Sequence, residues 1–188
     1  MGASIPPAGE IFVTYEQYAQ MPDDGRRYEI LEGMLQMTPS PTTKHQRVSG
    51  NLYFILRSHV AERDLGEVFD APLDVVLSST CVLQPDLVYV SRAREQIINE
   101  QNIAGAPDLV VEIVTPATAS MDRVTKAQLY ARYGVPYYWV VDPDQQTVEE
   151  FRLERGIYMP VRQWEGGDRF APELFPGLEI ELSGVFRK

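Results

Sequence analysis

The sequence predicts an α/β (α+β) fold: a mixed central β-sheet flanked by two helices, with N-terminal and C-terminal β-hairpins. Three observations predict it. Two segments carry apolar residues at helical spacing, Val- and Leu-rich runs punctuated by proline lie around them, and glycine-containing hairpin turns stand toward each end. The 188 residues are 44% hydrophobic and 23% charged, the composition of one globular domain, 1–188, in which residues 1–9 are expected to be flexible.

Each element has its own signal. Thr14 and Gln17 form a capping-box pair that opens a short helix, and Pro22 and Gly25 stop it. Residues 26–37, RRYEILEGMLQM, read as a hairpin about Glu32-Gly33. After Pro39 and Pro41, Thr42 and Thr43 can cap a first long helix over 43–64, with Val48, Leu52, Ile55, Leu56 and Val60 on one stripe. Strands follow at 67–78, 82–90 and 107–114. A second helix at 121–133 ends at Gly134 and Pro136. YYWVV (137–141) reads as a strand buried on both faces, residues 148–164 as a hairpin about Arg155-Gly156, and 178–182 as a last short strand.

Composition narrows the function. Seventeen Lys and Arg against 27 Asp and Glu give a net charge of −10, which argues against a whole-surface nucleic-acid footprint or an anionic-membrane binder. Basic charge is local. Residues 44–63 hold Lys44, Arg47, Arg57 and Arg63 against Glu62, and residues 121–135 hold Arg123, Lys126 and Arg132 against Asp122. Such counts suit DNA contact, or simply a charged outer helix face. The single Cys81 builds neither a disulfide nor a thiolate zinc site, which suits the cytoplasm. No signal peptide or spanning segment is visible, and Pro6 spoils a myristoylation motif. Walker, dinucleotide, zincin and nucleophile-elbow motifs are absent. His45 and His59, 14 positions apart on one predicted helix, are separated by roughly 20 Å and cannot share a metal.

Glu112 stands in the apolar run Leu109-Val110-Val111-Glu112-Ile113-Val114. A buried, unpaired carboxylate costs several kcal/mol, so Glu112 needs a cation, a metal, a donor cluster or a proton, unless it lies at an exposed sheet end. Asp86 opens the preceding strand after Pro85. If the two strands are neighbours, both carboxylates can converge on a hard divalent cation, magnesium or manganese. Asp108 also follows a proline, and a strand-entry role accounts for it. Lys126 shares a helix face with Leu129, Tyr130 and Tyr133, either as a snorkelling lysine or as a functional ammonium. Asp122 reads as a first-turn charge on the helix dipole.

The strings YEILEGML, KHQRVSGNL, QPDLVYV, PDLVVEIVTPAT and DRVTKAQLYARYGVPYYWVVDPD, in this order, resemble the Uma-type restriction endonuclease family of the PD-(D/E)xK nuclease superfamily, over residues 10–182. The resemblance implies a restriction-endonuclease-like core with Asp86 and Glu112 as metal ligands. The superfamily's strand lysine would fall at position 114, which is Val114 here, and the resemblance points to Lys126 as its replacement from the following helix. Glu29 matches a further acidic position of the family, as an outer metal or water ligand, or else faces solvent. His45, near the start of the first long helix, either faces the same cleft or, the commoner case, caps its helix or lies at the surface.

The function implied is metal-dependent hydrolysis of DNA phosphodiesters, with DNA or another nucleic acid as partner, no membrane, and a homodimer to cut both strands. Trp139, Tyr137 and Tyr138 are expected near a sheet edge that pairs two copies. The alternatives are a catalytically silent nucleic-acid-binding or oligomeric module, favoured by the net charge and Val114, and a hydrolase of RNA or a smaller phosphodiester.

Overall fold

The structure is a computed structural model that describes residues 12–187. The segment 1–9, expected to be flexible, lies outside the described residues. The element order is α1 (Tyr15–Tyr18), β1 (Arg27–Leu31), β2 (Met34–Thr38), α2 (Thr43–Glu62), β3 (Gly66–Asp70), β4 (Asp74–Ser78), β5 (Cys81–Leu83), β6 (Leu87–Ser91), β7 (Asn102–Ala104) and β8 (Leu109–Ile113). A π-helical stretch, Met121–Lys126, runs into α3 (Ala127–Arg132), followed by β9 (Tyr137–Asp142), β10 (Thr147–Glu154), β11 (Ile157–Glu165), β12 (Arg169–Phe170), β13 (Ile180–Glu181) and α4 (Leu182–Val185). The class is mixed α and β, as the sequence predicts.

The strands divide into two mixed sheets rather than one central sheet. Five strands run β2-β1-β5-β4-β7 and six run β11-β10-β9-β8-β6-β3, with β12 and β13 paired separately. The reason is proline placement. The expected strand 67–78 breaks around Pro72 into β3 and β4, and the expected strand 82–90 breaks at Pro85 into β5 and β6. In each case one half joins each sheet, because proline cannot donate to a ladder and marks where pairing stops. Gln84-Pro85-Asp86 is therefore a crossing from the five-stranded to the six-stranded sheet, and Asp86 sits at the seam.

β8 is buried at every position and lies between β6, antiparallel, and β9, parallel. Leu109, Val111 and Ile113 pack on one face with Leu52 and Leu56 of α2 and with Trp139. Val110 and Val114 pack on the other with Leu129 and Tyr130 of α3 and with Tyr138. Thr42 caps α2 by accepting from the His45 amide, and Gly134, at φ +83°, ends α3. Both hairpin turns, Glu32-Gly33 and Arg155-Gly156, have two positive φ angles, which matches the twist of two-residue hairpins.

Two further expectations are corrected. β9 lies between β10 and β8, so Trp139 and Tyr138 are core residues, not sheet-edge residues, and supply no dimer surface. The last strand contracts to Ile180–Glu181, because Leu182 begins α4. β7 and the 3-10 segment Arg92–Ile97 have no counterpart in the sequence reading. No helix among the described residues is long and apolar enough to cross a membrane.

Candidate active site

The register between β6 and β8 pairs Leu87 with Val111, and one further step sets Asp86 opposite Glu112. Directly opposed residues of an antiparallel pair point to the same face, so the two carboxylates are neighbours by strand geometry. Asp86 Oδ2 accepts from the Ile113 amide at 2.7 Å and lies 3.1 Å from His45 Nε2. Glu29 comes from β1 in the other sheet. Its Oε1 accepts from the Gln84 amide at 2.8 Å, across the seam where the chain changes sheets.

The helix supplies the cation. Asp122, Lys126 and Tyr130 recur every four residues and share one face of the π-helical stretch and α3. Lys126 Nζ is 2.9 Å from Glu29 Oε1, 3.2 Å from Glu112 Oε1 and 3.5 Å from Asp122 Oδ1. The Tyr130 hydroxyl donates to Glu112 Oε1 at 2.7 Å. The π-helical turn falls on the residues that face the carboxylates, a placement typical of π-turns at functional sites.

All these groups are buried: Glu29 and Glu112 are 3% exposed, Asp122 4%, Lys126 5% and Asp86 8%. Burial pushes the Glu112 carboxyl up; Lys126 pulls it down, while Asp122, Asp86 and Glu29 push it further, and the balance lies well above the ordinary carboxylate range. Asp122 is raised by burial too. Burial alone would lower the Lys126 ammonium, but Glu112, Glu29 and Asp122 outweigh it and hold it well above its usual value. Three carboxylates thus meet one ammonium, with Asp86 lining the same cleft, an excess of negative charge that a proton or a further cation must balance.

Asp86, Glu112, Asp122 and Lys126 line a cleft of about 160 Å³, together with His45 and Gln84. The bonds to Asp86 found among the described residues fall on Oδ2 and those to Glu112 on Oε1, which leaves Oδ1 and Oε2 available. Lys126 Nζ stands between the acids, and among the described residues no three His, Cys, Asp or Glu side chains converge as a ready-made metal cluster. The donor set nevertheless fits a hard divalent cation: two adjacent carboxylates, each with one oxygen clamped and one available, in a pocket with excess negative charge.

The structure therefore brings Glu29, Asp86, Glu112 and Lys126 together. It adds Asp122, which reads from the sequence only as a helix-dipole charge, and decides for the cleft among the positions open to His45. Asp122 is beside Lys126 rather than at a solvated helix end, and His45 is buried against Asp86, not at the surface. The signal for His45 was its place on the stripe of Val48 and Leu52, at i+3 and i+7. Asp108 lies apart and accepts from the Ser91 amide and Arg94, the strand-entry role expected. Val114 is core.

In the sequence Tyr130 reads only as a neighbour of Lys126 on one helix face. Its hydroxyl fixes the clamped oxygen of Glu112, and removing partners of metal-binding side chains costs about 10- to 100-fold in metal affinity. If Glu112 holds a magnesium ion, Tyr130→Phe is expected to weaken its binding by at least about tenfold. Titration calorimetry checks this, and unchanged affinity would show that the hydroxyl only packs.

A family model described as "Uma2: putative restriction endonuclease" matches residues 15–183. Among solved structures, one described as a "putative nuclease belonging to DUF820" from Anabaena variabilis ATCC 29413 superposes with a TM-score of 0.76 at 20% sequence identity. The match covers 93% of this chain and 97% of that one. At this identity the likeness is one of fold. No curated protein matches the chain.

Proposed function

The chain belongs to the Uma2 family of restriction-endonuclease-like proteins, and on that premise we propose that it is a magnesium-dependent nuclease that hydrolyses DNA phosphodiester bonds. The observation that carries this reading is the meeting of Asp86, Glu112 and Lys126 in one cleft, from two strands and a helix. Asp86 and Glu112 would hold the ion through their available oxygens, with manganese able to replace magnesium. When bound, a divalent cation neutralises charge growing on the phosphate and makes water a better nucleophile.

The remaining residues act around that point. Lys126 lines the cleft, and the positive charge of its ammonium would favour charge gathering on the phosphate's oxygens, an interaction that burial strengthens relative to water. Glu29 and Asp122 hold the ammonium in place and keep it protonated. His45 orients Asp86, and Tyr130 orients Glu112. The silent-module alternative draws on the net charge and on Val114, but Lys126 reaches the carboxylates from the helix and supplies the ammonium that the strand lacks.

Labelled DNA incubated with magnesium or manganese tests this. The protein should produce cuts that are abolished by EDTA and reduced by on the order of a thousandfold in Asp86→Asn, since the metal contributes several kcal/mol to the transition state. No cleavage by the parent of any DNA under either metal would overturn the reading, as would an Asp86→Asn variant that cuts normally.

A further inference from the structure

We propose that the outward face of α2, built on Arg47, Phe54 and Arg57, binds an unpaired DNA strand, and that the substrate reaches the cleft single-stranded. What happens to the strand in the cleft rests on the nuclease reading; the binding surface does not.

The helix has two faces. Val48, Leu52, Leu56 and Val60 are buried, whereas Phe54, in the middle of this 20-residue helix, is 72% exposed. At about 100° per residue, Arg47 and Phe54 lie within roughly 20° of one another, and Arg57 stands roughly 60° away. Along the axis Arg47 precedes Phe54 by about 10 Å and Arg57 follows by about 4.5 Å. An exposed aromatic ring is therefore bracketed by two guanidinium groups.

Among the described residues those arginines hold uncompensated charge. The Lys/Arg ion pairs of this helix and its cap, among the described residues, are Lys44–Asp144 and Arg63–Glu62. Arg57 rests near the Tyr53 ring, 5.9 Å from its centroid, and is in no ion pair among the described residues. One turn before Phe54 is Gly50, where an added Cβ would meet nothing within 4 Å, so the ground beside the ring is open. A flat aromatic face, clear space beside it and cations at either end complement a base and its phosphates. A purely apolar partner would leave the two guanidinium groups without counter-charge.

Two arguments select an unpaired strand over a duplex. With a net charge of −10, this chain can gain from only a few phosphates, and a duplex offers little else to Phe54 because its bases are stacked inside. An unpaired strand offers base faces, and stacking is independent of the protein's overall charge. The second argument is access. Asp86, Glu112 and Lys126, between 3% and 8% exposed, lie in a cleft of about 160 Å³. A single backbone can descend into it, whereas a paired one holds its partner strand against the rim. The N-terminal turn of α2, through Thr42 and His45, lines this same cleft. Phe54 is nine residues further on, roughly 14 Å along the axis and about 180° around it from His45, so a strand stacked there must also pass over the helix before its backbone reaches the carboxylates.

The test is fluorescence anisotropy in EDTA at low salt, with one labelled oligonucleotide presented single-stranded and as a duplex. The single strand should bind at least about tenfold more tightly, and Phe54→Ala should weaken that binding about tenfold. The Arg47→Gln/Arg57→Gln double variant should reduce the salt-dependence slope by about 1.4, or about 0.7 for each phosphate released. The melting temperatures of these surface variants serve as the check on folding. Equal or tighter duplex binding, a Phe54→Ala variant that binds like the parent, or no binding of either form would overturn the proposal. If strand binding depends on Phe54 but no metal yields cleavage, the nuclease reading fails and this surface stands. If duplex interiors are cut independently of Phe54, the nuclease reading stands and this surface fails.

Discussion

Glu112→Gln is expected to erase both the magnesium-dependent rise in melting temperature and cleavage, while the metal-free protein stays folded. The substitution keeps size and shape, and the Tyr130 hydroxyl can still donate to the amide oxygen, but one of two adjacent hard anionic donors is gone. In the parent, magnesium at a hundredfold excess over its dissociation constant should add about 2.7 kcal/mol of stability. That corresponds to roughly 5–10 °C for a chain of this size. Cleavage should fall by on the order of a thousandfold, since the ion's contribution to the transition state is several kcal/mol. The metal-free midpoint should change little, because two effects oppose one another. Burial penalises the Glu112 charge, so its removal relieves a cost, but Lys126 loses one of three acidic partners and keeps Glu29 and Asp122. Differential scanning fluorimetry with and without magnesium, beside a cleavage assay, reads both quantities. A variant that retained the magnesium shift would remove Glu112 from the ligand set.

How much of this was legible in the sequence depends on how local each signal is. The stripe of α2, the two glycine turns and the end of α3 at Gly134 are set by residues a few positions apart, and each appears where periodicity and turn chemistry place it. The division into two sheets is not local. Pro72 and Pro85 read as interruptions of strands, but which half pairs with which sheet depends on partners far along the chain. The site divides in the same way. Asp86, Glu112 and Lys126 stood out because charge in an apolar pattern must be compensated, an argument that needs no partner. Asp122 did not, and His45 read as a cleft residue only beside the commoner capping or surface role, since an acid in a first helical turn and a histidine near a cap both have ordinary surface roles. Their meaning comes from burial at the seam between sheets. The π-helical turn that carries Lys126 adds a residue to a helical repeat, and nothing in Met121–Lys126 distinguishes it from an α-helical pattern.

Lys126→Met separates the two tasks of the ammonium, because stability and catalysis should respond to magnesium in opposite ways. Methionine matches the length of the lysine stem, so packing against Leu129 and Tyr130 changes little, but Glu29, Glu112 and Asp122 are left buried together without their cation. Removing one partner of a buried ion pair costs about 3–5 kcal/mol, and the metal-free melting temperature should fall by roughly 6–20 °C. Some of that cost can be avoided by protonation of the carboxyls, so the lower end of the range is expected at acidic pH, where the proton takes over as the balancing charge. Magnesium should then recover more stability in the variant than it adds to the parent. In the parent the ion enters a pocket where Lys126 already balances part of the charge; in the variant it meets the full excess of carboxylates. Cleavage should nevertheless stay lost, since the positive charge proposed to stabilise the phosphate is gone and a cation held by the carboxylates does not occupy its place. A magnesium shift no larger than the parent's would show that the ammonium and the ion do not answer to the same carboxylates, and cleavage at the parent's rate would remove Lys126 from the chemistry.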